Sequence, residues 1–449
     1  MNFTAPAFVL GFPLVLALHW ALPPRGRWVL LLAASLAFYA VGSPQALGLL
    51  GCVTAGSYIA ARLLACCRSA AAKRFWCFAA AALCLGCLAR FKYAGMLGVG
   101  VGQALLPAGL SFYAFQTLGY VLDVYRGKLP PERHLGYYTL FVCFFPQLVA
   151  GPIERADALL PQLRGERRRC DANGWLLLLR GFAKKLLLAD AMAPFVDRVY
   201  AAPGTAGGPA LLLATVLFAG QIYLDFSGYS DIAVGTAALL GVRLSSNFDR
   251  PYAACSLRDF WRRWHITLNR FLTDALYLPL GGSRCGAGRH FFNLMAVFLV
   301  SGLWHGAAWH YLAWGAVHGL LLAAETALDR RGALRRLPRA ARWVLTFGLV
   351  CAAWVFFRAP STAAALGVFA RLPTGWSLPA LARLLPMLGQ TTAARLLLGL
   401  ACLRLLPSHK KALEAPAALL GVFALVLAVA CAWFATLAGG ASAFLYFQF

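Results

Sequence analysis

Charged residues are scarce in this sequence, and acidic ones are the scarcest. Of the 449 residues, 13% are charged, with 16 Asp and Glu against 41 Lys and Arg, and 61% are hydrophobic. Soluble domains carry about 25% charged residues, so this composition excludes an ordinary soluble protein. Apolar stretches of about 20 residues, enough for a helix to cross the hydrocarbon core, recur along the whole chain. Helices are the economical way to cross, since a membrane barrel would show short alternating segments instead.

Thirteen apolar stretches predict an all-α polytopic membrane protein with about 11 to 13 transmembrane helices. The stretches lie near 3–22, 27–43, 45–66, 75–89, 95–123, 135–150, 173–200, 209–240, 290–306, 309–327, 342–357, 394–406 and 416–437.

Positive charge is plentiful, and the net charge is +25. The basic residues lie in short connections between apolar stretches and follow the positive-inside rule, so we expect contact with membrane lipids and none with nucleic acid. We place these connections in the cytoplasm. One predicted span precedes the first of them, so the N-terminus lies outside the cytoplasmic membrane. The connections contain Arg25 and Arg27, Arg68 to Arg74, Arg164 to Arg169, and Arg330 to Arg342.

Several motifs of hydrolases and metal sites are missing. The chain has no GxSxG turn, which carries the nucleophile of many hydrolases, and no HxxxH pair, which places two metal ligands on one helix face. Cys84 and Cys87 form a CxxC without a second pair at zinc spacing. On one continuous helix, His305, His310 and His318 would point in different directions. We therefore expect no metal site and no bound cofactor.

We expect a single membrane domain over residues 1–449. It divides by composition into N-terminal helices (1–106), a middle region (107–325) and C-terminal helices (326–449). The middle region holds nearly all the unusual polar residues.

Within the middle region, the segment FFPQLVAGPIER (144–155) interrupts an apolar stretch with Pro and Gly. Broken backbone at membrane depth is tolerated where protein or a water-filled cavity satisfies its polar groups, which predicts a re-entrant segment lining a cavity. Asp225 and Asp231 lie in another apolar stretch and need partners. The candidates are the nearby arginines Arg243, Arg250 and Arg258.

His265 lies in FWRRWHITLNRFL, where residues 257–275 predict one amphipathic helix. His265 falls at the edge of its apolar face, beside Trp261 and Leu268. An interfacial basic helix with a histidine at its boundary is one interpretation. A functional histidine that faces protein is the other.

His305 lies inside an apolar stretch, in SGLWHGAAW, where an ionisable residue is costly and a functional role is the default hypothesis. A buried neutral imidazole accepts a proton well. Gly302 and Gly306 leave room for another backbone or a ligand to approach. A core histidine bonded to a carbonyl is the alternative. Acyl transfer fits best, because one base can take the proton of a hydroxyl as it attacks a thioester while a second group steadies the developing charge.

These segments resemble the membrane-bound O-acyltransferase (MBOAT) family, and within it the membrane subunits of bacterial polysaccharide acetylation. The resemblance covers about residues 107–325 and the C-terminal tail. It implies a ring of helices with re-entrant and interfacial helices around a central catalytic tunnel. The motifs that carry it are FFPQLVAGPIER, LDFSGYSDIAVG, NFDRPY, DFWRRWHITLNRFLTDALYLPLGG, SGLWHGAAWHYLAWGAVHG and FLYFQF.

The resemblance implies that His305 is the catalytic histidine. His265 matches a second position that is Asn or Asp in other branches, which suits orientation or polarisation rather than a base. Relatives read close to RDYLY where this chain has TDALY, so Thr273 and Ala275 depart from the pattern and leave donor and acceptor details open. Further candidate substrate-binding or supporting residues are Asn247, Asp249, Arg250, Arg262, Arg263, Trp304, Asp274 and Tyr277.

The function implied is transfer of an acetyl or short acyl group across the membrane, from acetyl-CoA or another thioester toward a hydroxyl of an exported polysaccharide. The resemblance also implies a separate extracytoplasmic acetyltransferase as partner. D-alanyl transfer to teichoic acid from a carrier protein is an alternative. A transporter or flippase is a further alternative, which predicts inverted repeats that the sequence does not show.

Overall fold

A computed structural model describes residues 3–42, 44–96, 98, 107–165, 170–405, 426 and 445. Helices are the only regular secondary structure in these ranges, which confirms the all-α prediction. The expected span at 416–437, apart from Val426, and the FLYFQF tail, apart from Leu445, lie outside the described residues.

The chain forms two compact units. The first comprises Met1–Phe182, Tyr229–Ser246 and Leu406–Phe447, and the second comprises Ala183–Gly228, Asn247–Leu405 and Gln448–Phe449. The helices before the unit boundary at Phe182 are α1 (Pro6–Ala21), α2 (Pro24–Gly42), α3 (Leu47–Cys66), α4 (Ala70–Leu88), α5 (Leu110–Tyr125), α6 (Leu135–Cys143), α7 (Ala156–Arg164) and α8 (Asn173–Phe182). Those after it are α9 (Asp190–Ala201), α10 (Gly208–Leu239), α11 (Leu257–Arg263), α12 (Ile266–Leu272), α13 (Ala287–His305), α14 (Trp309–Arg330), α15 (Arg339–Arg358), α16 (Thr362–Arg371), α17 (Leu378–Ala382), α18 (Leu384–Leu388) and α19 (Gln390–Leu405).

Five helical segments of the described chain are long and apolar enough to cross a membrane. Large apolar side chains on these and neighbouring helices face outward, and Leu10 and Phe78 are 76% and 73% exposed. Such exposure suits a lipid environment. The protein is therefore a multi-pass membrane protein. The spanning segments are Pro44–Cys66, Ala70–Tyr93, Gly208–Leu239, Trp309–Arg330 and Arg339–Arg358.

The FFPQLVAGPIER segment is buried and non-helical, as the sequence predicts. The helix α6 ends at Cys143, and residues 144–153 are buried. The protein satisfies the backbone donors that the break leaves. Phe145 N donates to Ser35 Oγ (3.1 Å), and Ala150 N donates to the Tyr229 hydroxyl (3.2 Å). Irregular backbone is stable here because protein groups replace the missing helical partners.

The two carboxylates of α10 pair with residues from the preceding segment, which corrects the expectation of Arg243, Arg250 and Arg258. In the second unit, Lys185 Nζ lies 2.9 Å from Asp225 Oδ1 and 2.8 Å from Asp190 Oδ1. In the first unit, Arg180 Nε lies 3.4 Å from Asp231 Oδ2. Lys185 belongs to a π-helical stretch, Ala183–Ala189, whose wider turn follows directly from α8.

We predict that Lys185→Met destabilises the protein, because it leaves two carboxylates without their buried cation. Removing one member of a buried ion pair costs about 3–5 kcal/mol. Thermal unfolding of the purified protein in detergent measures the loss, and Lys185→Met with Asp225→Leu should recover part of it. Equal stability of Lys185→Met and the wild type would contradict the structural role.

Candidate active site

His265 lies at a break between two short helices. The sequence predicts one helix over 257–275, but α11 ends at Arg263 and α12 begins at Ile266. His265 itself has φ 45° and ψ 53°, the left-handed region. The prediction of a continuous helix is therefore wrong, and His265 occupies a turn that aims its side chain inward, where it is 1% exposed.

The segment that carries Asn247 and Asp249 holds this break open. Ile266 N donates to the Asn247 carbonyl (3.0 Å), and Asp249 N donates to the Arg263 carbonyl (3.0 Å). The Thr267 hydroxyl donates to Asn247 Oδ1 (2.6 Å). Backbone groups that a continuous helix would pair internally thus find partners in a second segment. Asn247 and Asp249 therefore support the site by fixing the position of His265.

Two further side chains close the ends of α11. The amide of Asn269 donates to the carbonyls of Trp261 (2.7 Å) and Trp264 (2.6 Å), which are left unpaired at the break. At the other end, the Glu325 carboxylate accepts from the backbone N–H groups of Leu257 (2.5 Å) and Arg258 (3.0 Å). A carboxylate at a helix N-terminus is favourable because it also meets the positive end of the helix dipole.

Strained backbone concentrates at this site. Arg250 and His265 are the non-glycine residues with positive φ in the described part of the chain. The left-handed conformation costs about 1–2 kcal/mol for most residues, and Asn, Asp and His tolerate it best. Such strain persists where the surroundings impose it, often at functional sites. The conformation gives a physical reason for His at position 265, and for the Asn or Asp that the family resemblance implies there.

His305 is the last residue of α13, at the tight connection to α14. A Cβ on Gly302 would lie 2.4 Å from the Tyr311 carbonyl oxygen, and one on Gly306 would lie 2.1 Å from the Tyr311 ring. Gly302 thus admits another backbone, as predicted, whereas Gly306 admits a side chain. His305 is 6% exposed, although it ends its helix instead of lying within it. His310 and His318 lie on the next helix, α14, as the separate apolar stretches 290–306 and 309–327 predict.

The fold brings the two histidines together. The ring centroids of His265 and His305 are 6.4 Å apart. Trp304 contacts both, with centroid distances of 5.6 Å to His265 and 5.0 Å to His305. On its other sides, His305 contacts Trp314 (5.1 Å) and Phe357 (5.3 Å) edge-on. The pair is thus enclosed by aromatic rings from α13, α14 and α15.

Part of α10 completes the enclosure around His265. The Phe226 ring lies 4.8 Å from the His265 ring, and Phe248 lies 5.0 Å from Phe226. Phe248 also meets Trp264 at 5.1 Å. The motif LDFSGYSDIAVG therefore supplies an aromatic wall to the site, whereas its carboxylate Asp225 binds Lys185.

Burial sets the protonation state of His265. The residue lies between two seven-residue helices, outside the membrane-spanning segments, and burial lowers its pKa to about 3. Its imidazole is therefore neutral near pH 7, with one nitrogen as donor and the other as acceptor. A neutral imidazole can polarise a carbonyl oxygen by donating a hydrogen bond.

The other predicted residues are spread more widely. Arg263 Nε donates to Asp259 Oδ1 (2.9 Å), and Arg262 is exposed. Asp274 and Tyr277 lie in a π-helical turn, Thr273–Tyr277. The Tyr277 ring lies 6.2 Å from His290, which precedes His305 by 15 residues in α13, or roughly 22 Å along a helix. The structure therefore does not bring Tyr277 to the histidine pair.

His318 lies beside the pair and was not predicted as part of the site. It is 1% exposed, with its ring 4.8 Å from Trp261 and 5.0 Å from Trp314. Neither of its nitrogens has a hydrogen-bond partner among the residues that the structure describes. Trp314 separates it from His305. The GAVHG sequence around His318 gave the only signal, a polar residue in an apolar stretch.

Comparisons with known proteins identify the family of this chain. The model of the MBOAT, membrane-bound O-acyltransferase family, matches residues 132–365, a range that includes both histidines. A probable alginate O-acetylase of Azotobacter vinelandii is 40% identical over 391 residues, which cover 83% of this chain and 78% of the relative. The chain therefore belongs to the MBOAT family and is an O-acyltransferase.

Two other relatives carry different names. A peptidoglycan O-acetyltransferase of Helicobacter pylori is 32% identical. The match covers 81% of this chain and 76% of the relative. A teichoic acid D-alanyltransferase of Streptococcus thermophilus is 27% identical. The match covers 51% of this chain and 59% of the relative. The family thus accommodates more than one acceptor and more than one acyl group.

We predict that Gly302→Ala destabilises the α13–α14 connection, since its Cβ would overlap a backbone carbonyl that has no room to move. Gly288→Ala is the matched control in the same helix, because a Cβ there meets no atom within 4 Å. Thermal unfolding should show a clear loss for Gly302→Ala and none for Gly288→Ala. Equal behaviour of the two variants would contradict the close approach.

We also predict a pH effect on stability from His265. The folded pKa of about 3 lies below the unfolded value of about 6.5, so the unfolded state binds the proton more readily between these values. The contribution of His265 is therefore complete above pH 6.5 and falls by about 1.4 kcal/mol per pH unit below it. Unfolding of the wild type and His265→Asn between pH 7 and 4 should show the wild type losing stability faster. Parallel curves would contradict the assignment.

Proposed function

We propose that this chain transfers an acetyl or other short acyl group from a cytosolic thioester such as acetyl-CoA toward a hydroxyl, for O-acetylation of an exported polysaccharide. One observation carries the proposal. His265 and His305 come from separate segments, yet their buried rings lie 6.4 Å apart in an aromatic enclosure. Two imidazoles at this separation can contact the two reacting groups of one acyl transfer, the acceptor hydroxyl and the thioester carbonyl.

His305 acts as the general base. It takes the proton of the acceptor hydroxyl while the oxygen attacks the thioester carbonyl, and it returns that proton to the departing thiolate. The bond formed is the ester C–O bond, and the bond broken is the thioester C–S bond. No oxidant, reductant or metal takes part in this balance.

His265 positions and polarises the acyl group. Its imidazole is neutral, so its N–H can donate a hydrogen bond to the carbonyl oxygen, where negative charge develops. Asn247 accepts hydrogen bonds from Ile266 N and the Thr267 hydroxyl, and these bonds fix the ring in place before the substrate arrives. Preorganised donors of this kind lower the barrier because they need not reorient during the reaction.

The aromatic enclosure serves to exclude water. Trp304, Trp314 and Phe357 surround His305 with apolar surface. Water would compete with the acceptor hydroxyl for the acyl group and hydrolyse the thioester. We therefore propose Trp304 as a wall of the acyl site.

The remaining candidates have roles at greater distance. Asn247 and Asp249 support the break at His265, and Arg250 occupies the strained turn beside them. Exposed Arg262, with Arg263, suits the anionic part of the donor. Tyr277 lies near His290 in α13, so it and its neighbour Asp274 suit an entry path rather than the reacting centre.

We further propose the setting of this site. About 11 to 13 transmembrane helices surround a tunnel within one membrane domain, 1–449, with the N-terminus outside. The short basic connections support a cytoplasmic donor side. The alginate and peptidoglycan names of two relatives favour a glycan acceptor, served by an extracytoplasmic acetyltransferase partner.

D-alanyl transfer from a carrier protein is the second candidate, because one relative is a teichoic acid D-alanyltransferase. Membranes containing the protein would be given either radiolabelled acetyl-CoA or a D-alanylated carrier protein. Label transferred from acetyl-CoA supports the first proposal. Label transferred from the carrier alone would replace it with the second.

We predict that His305→Ala abolishes acyl transfer, because loss of a general base costs about 10²–10⁴-fold. His265→Ala should reduce it severely, whereas His265→Asn should retain more activity because Asn keeps a polar group and tolerates the left-handed turn. Polysaccharide O-acetyl content measures these effects at matched protein level.

His134→Asn is the matched control for these variants. His134 is exposed and accepts from Tyr137 N at the start of α6, a contact that Asn can replace. Normal acetylation by the control and none by His305→Ala is the expected result. Near-normal acetylation by His305→Ala would overturn the assignment.

A further inference from the structure

A small basic cavity lies within the first unit, which does not contain the histidine pair. Its volume is about 100 Å³. Four parts of the chain form it: the end of α1 with the first turns of α2, Tyr137 of α6, the C-terminal end of α7, and the residues that follow α10. The cavity thus joins two of the basic connections found in the sequence, which are distant along the chain.

Positive charge dominates the lining. Arg25, Arg27 and Arg164 line the cavity, and no Asp or Glu does so among the residues that the structure describes. Arg164 is held in place by an ion pair with Glu132. An anion in the cavity would therefore meet guanidinium groups from two different connections.

Hydrogen bonds within the protein build the rim. Arg27 Nε donates to the Leu22 carbonyl (3.2 Å), and its guanidinium lies 4.6 Å from the centre of the Trp20 ring. Trp20 Nε1 donates to the Leu239 carbonyl (3.0 Å), which ties α1 to the end of α10. The cation at Arg27 is therefore preorganised by groups of the protein itself.

The end of α7 is fixed in the same way. Gln162 Nε2 donates to the Arg243 carbonyl (3.0 Å), and Arg243 N donates to Gln162 Oε1 (2.8 Å). This reciprocal pair holds the chain after α10 against the helix that carries Arg164. Hydrogen bonds thus join α1 and α7 to the end of α10 and the residues that follow it.

The neighbouring side chains place the cavity at the level of lipid headgroups. Trp20 and Trp28 flank the turn between α1 and α2, and Trp is enriched where a helix leaves the hydrocarbon core. Farther along the same two helices, Leu14 and Val29 are 62% and 50% exposed and suit contact with acyl chains. An apolar tail and an anionic head would find matching surfaces here.

We propose that this cavity binds the phosphate of an anionic phospholipid headgroup, such as that of phosphatidylglycerol. A volume of about 100 Å³ accommodates one small anionic group but is well below the roughly 300–1,000 Å³ of substrate pockets. Basic pockets between transmembrane helices on the cytoplasmic side bind such headgroups. The site is separate from the acyl-transfer proposal and does not depend on it.

Native mass spectrometry of the full-length protein in detergent tests the proposal, with phosphatidylglycerol or phosphatidylcholine added. The wild type should retain phosphatidylglycerol in preference to phosphatidylcholine. Arg25→Gln should weaken that binding about fivefold, the effect of one basic residue near a membrane surface. Arg25→Lys should keep most of the binding, because it keeps the positive charge. This variant controls for disruption of the fold by a substitution at position 25.

Arg331→Gln is the matched control, because Arg331 is an exposed arginine of another basic connection outside the cavity. It should bind phosphatidylglycerol like the wild type. An equal loss in Arg331→Gln would overturn the proposal in favour of general surface charge. Unchanged binding in Arg25→Gln would also overturn it. If millimolar inorganic phosphate displaced bound phosphatidylglycerol as strongly as added phosphatidylglycerol does, the cavity would be assigned to a free anion instead.

Discussion

The pairing of residues 247–249 with residues 263–267 is the constraint on which the candidate active site depends. The hydrogen bonds of Asn247 and Asp249 take the place of helical ones and stop α11 one residue short of Trp264. Without them, an amphipathic sequence would continue as one helix and carry His265 along its face. With them, His265 turns inward and meets His305. The strained backbone at His265 is the local cost of this arrangement.

The scarce carboxylates of this chain serve mainly to hold the structure. Asp225 and Asp190 neutralise buried Lys185, and Glu325 caps the helix that leads to His265. Glu154 accepts from the backbone and hydroxyl of Ser245. In a membrane protein an unpaired buried charge is costly, so each carboxylate needs a fixed partner. His265 in the candidate site is a neutral imidazole, which avoids that cost.

The glycines around His305 illustrate a second constraint. Gly302 faces the carbonyl oxygen of Tyr311, and Gly306 faces the ring of the same residue. Close packing of α13 against α14 is therefore possible only without side chains at these positions. The resulting contact holds His305 at the end of its helix, against Trp314 and Phe357. The close packing of these two helices thus also fixes the position of His305.

Much of the helical framework could be predicted from the sequence, because hydropathy is a local property of each segment. The starts and ends of α2, α3, α10 and α14 lie within a few residues of the apolar stretches. The broken segment 144–155 could also be predicted, from its Pro and Gly residues. The partners of Asp225 and Asp231 could not be predicted, because Lys185 and Arg180 lie some 40 to 50 residues away and only folding brings them near.

The sequence by itself determined that this is a helical membrane protein, that His265 and His305 are its unusual polar residues, and that its motifs are those of an acyltransferase. The first two properties follow from composition and local pattern, and the third is a resemblance of motifs to a known family. Only the tertiary structure decided that the helix breaks at His265, that the two rings lie 6.4 Å apart, and that Phe226 and Phe357 enclose them. The reason is physical. The break depends on hydrogen bonds to the separate segment 247–249, and the sequence of residues 257–275 alone does not reveal these bonds.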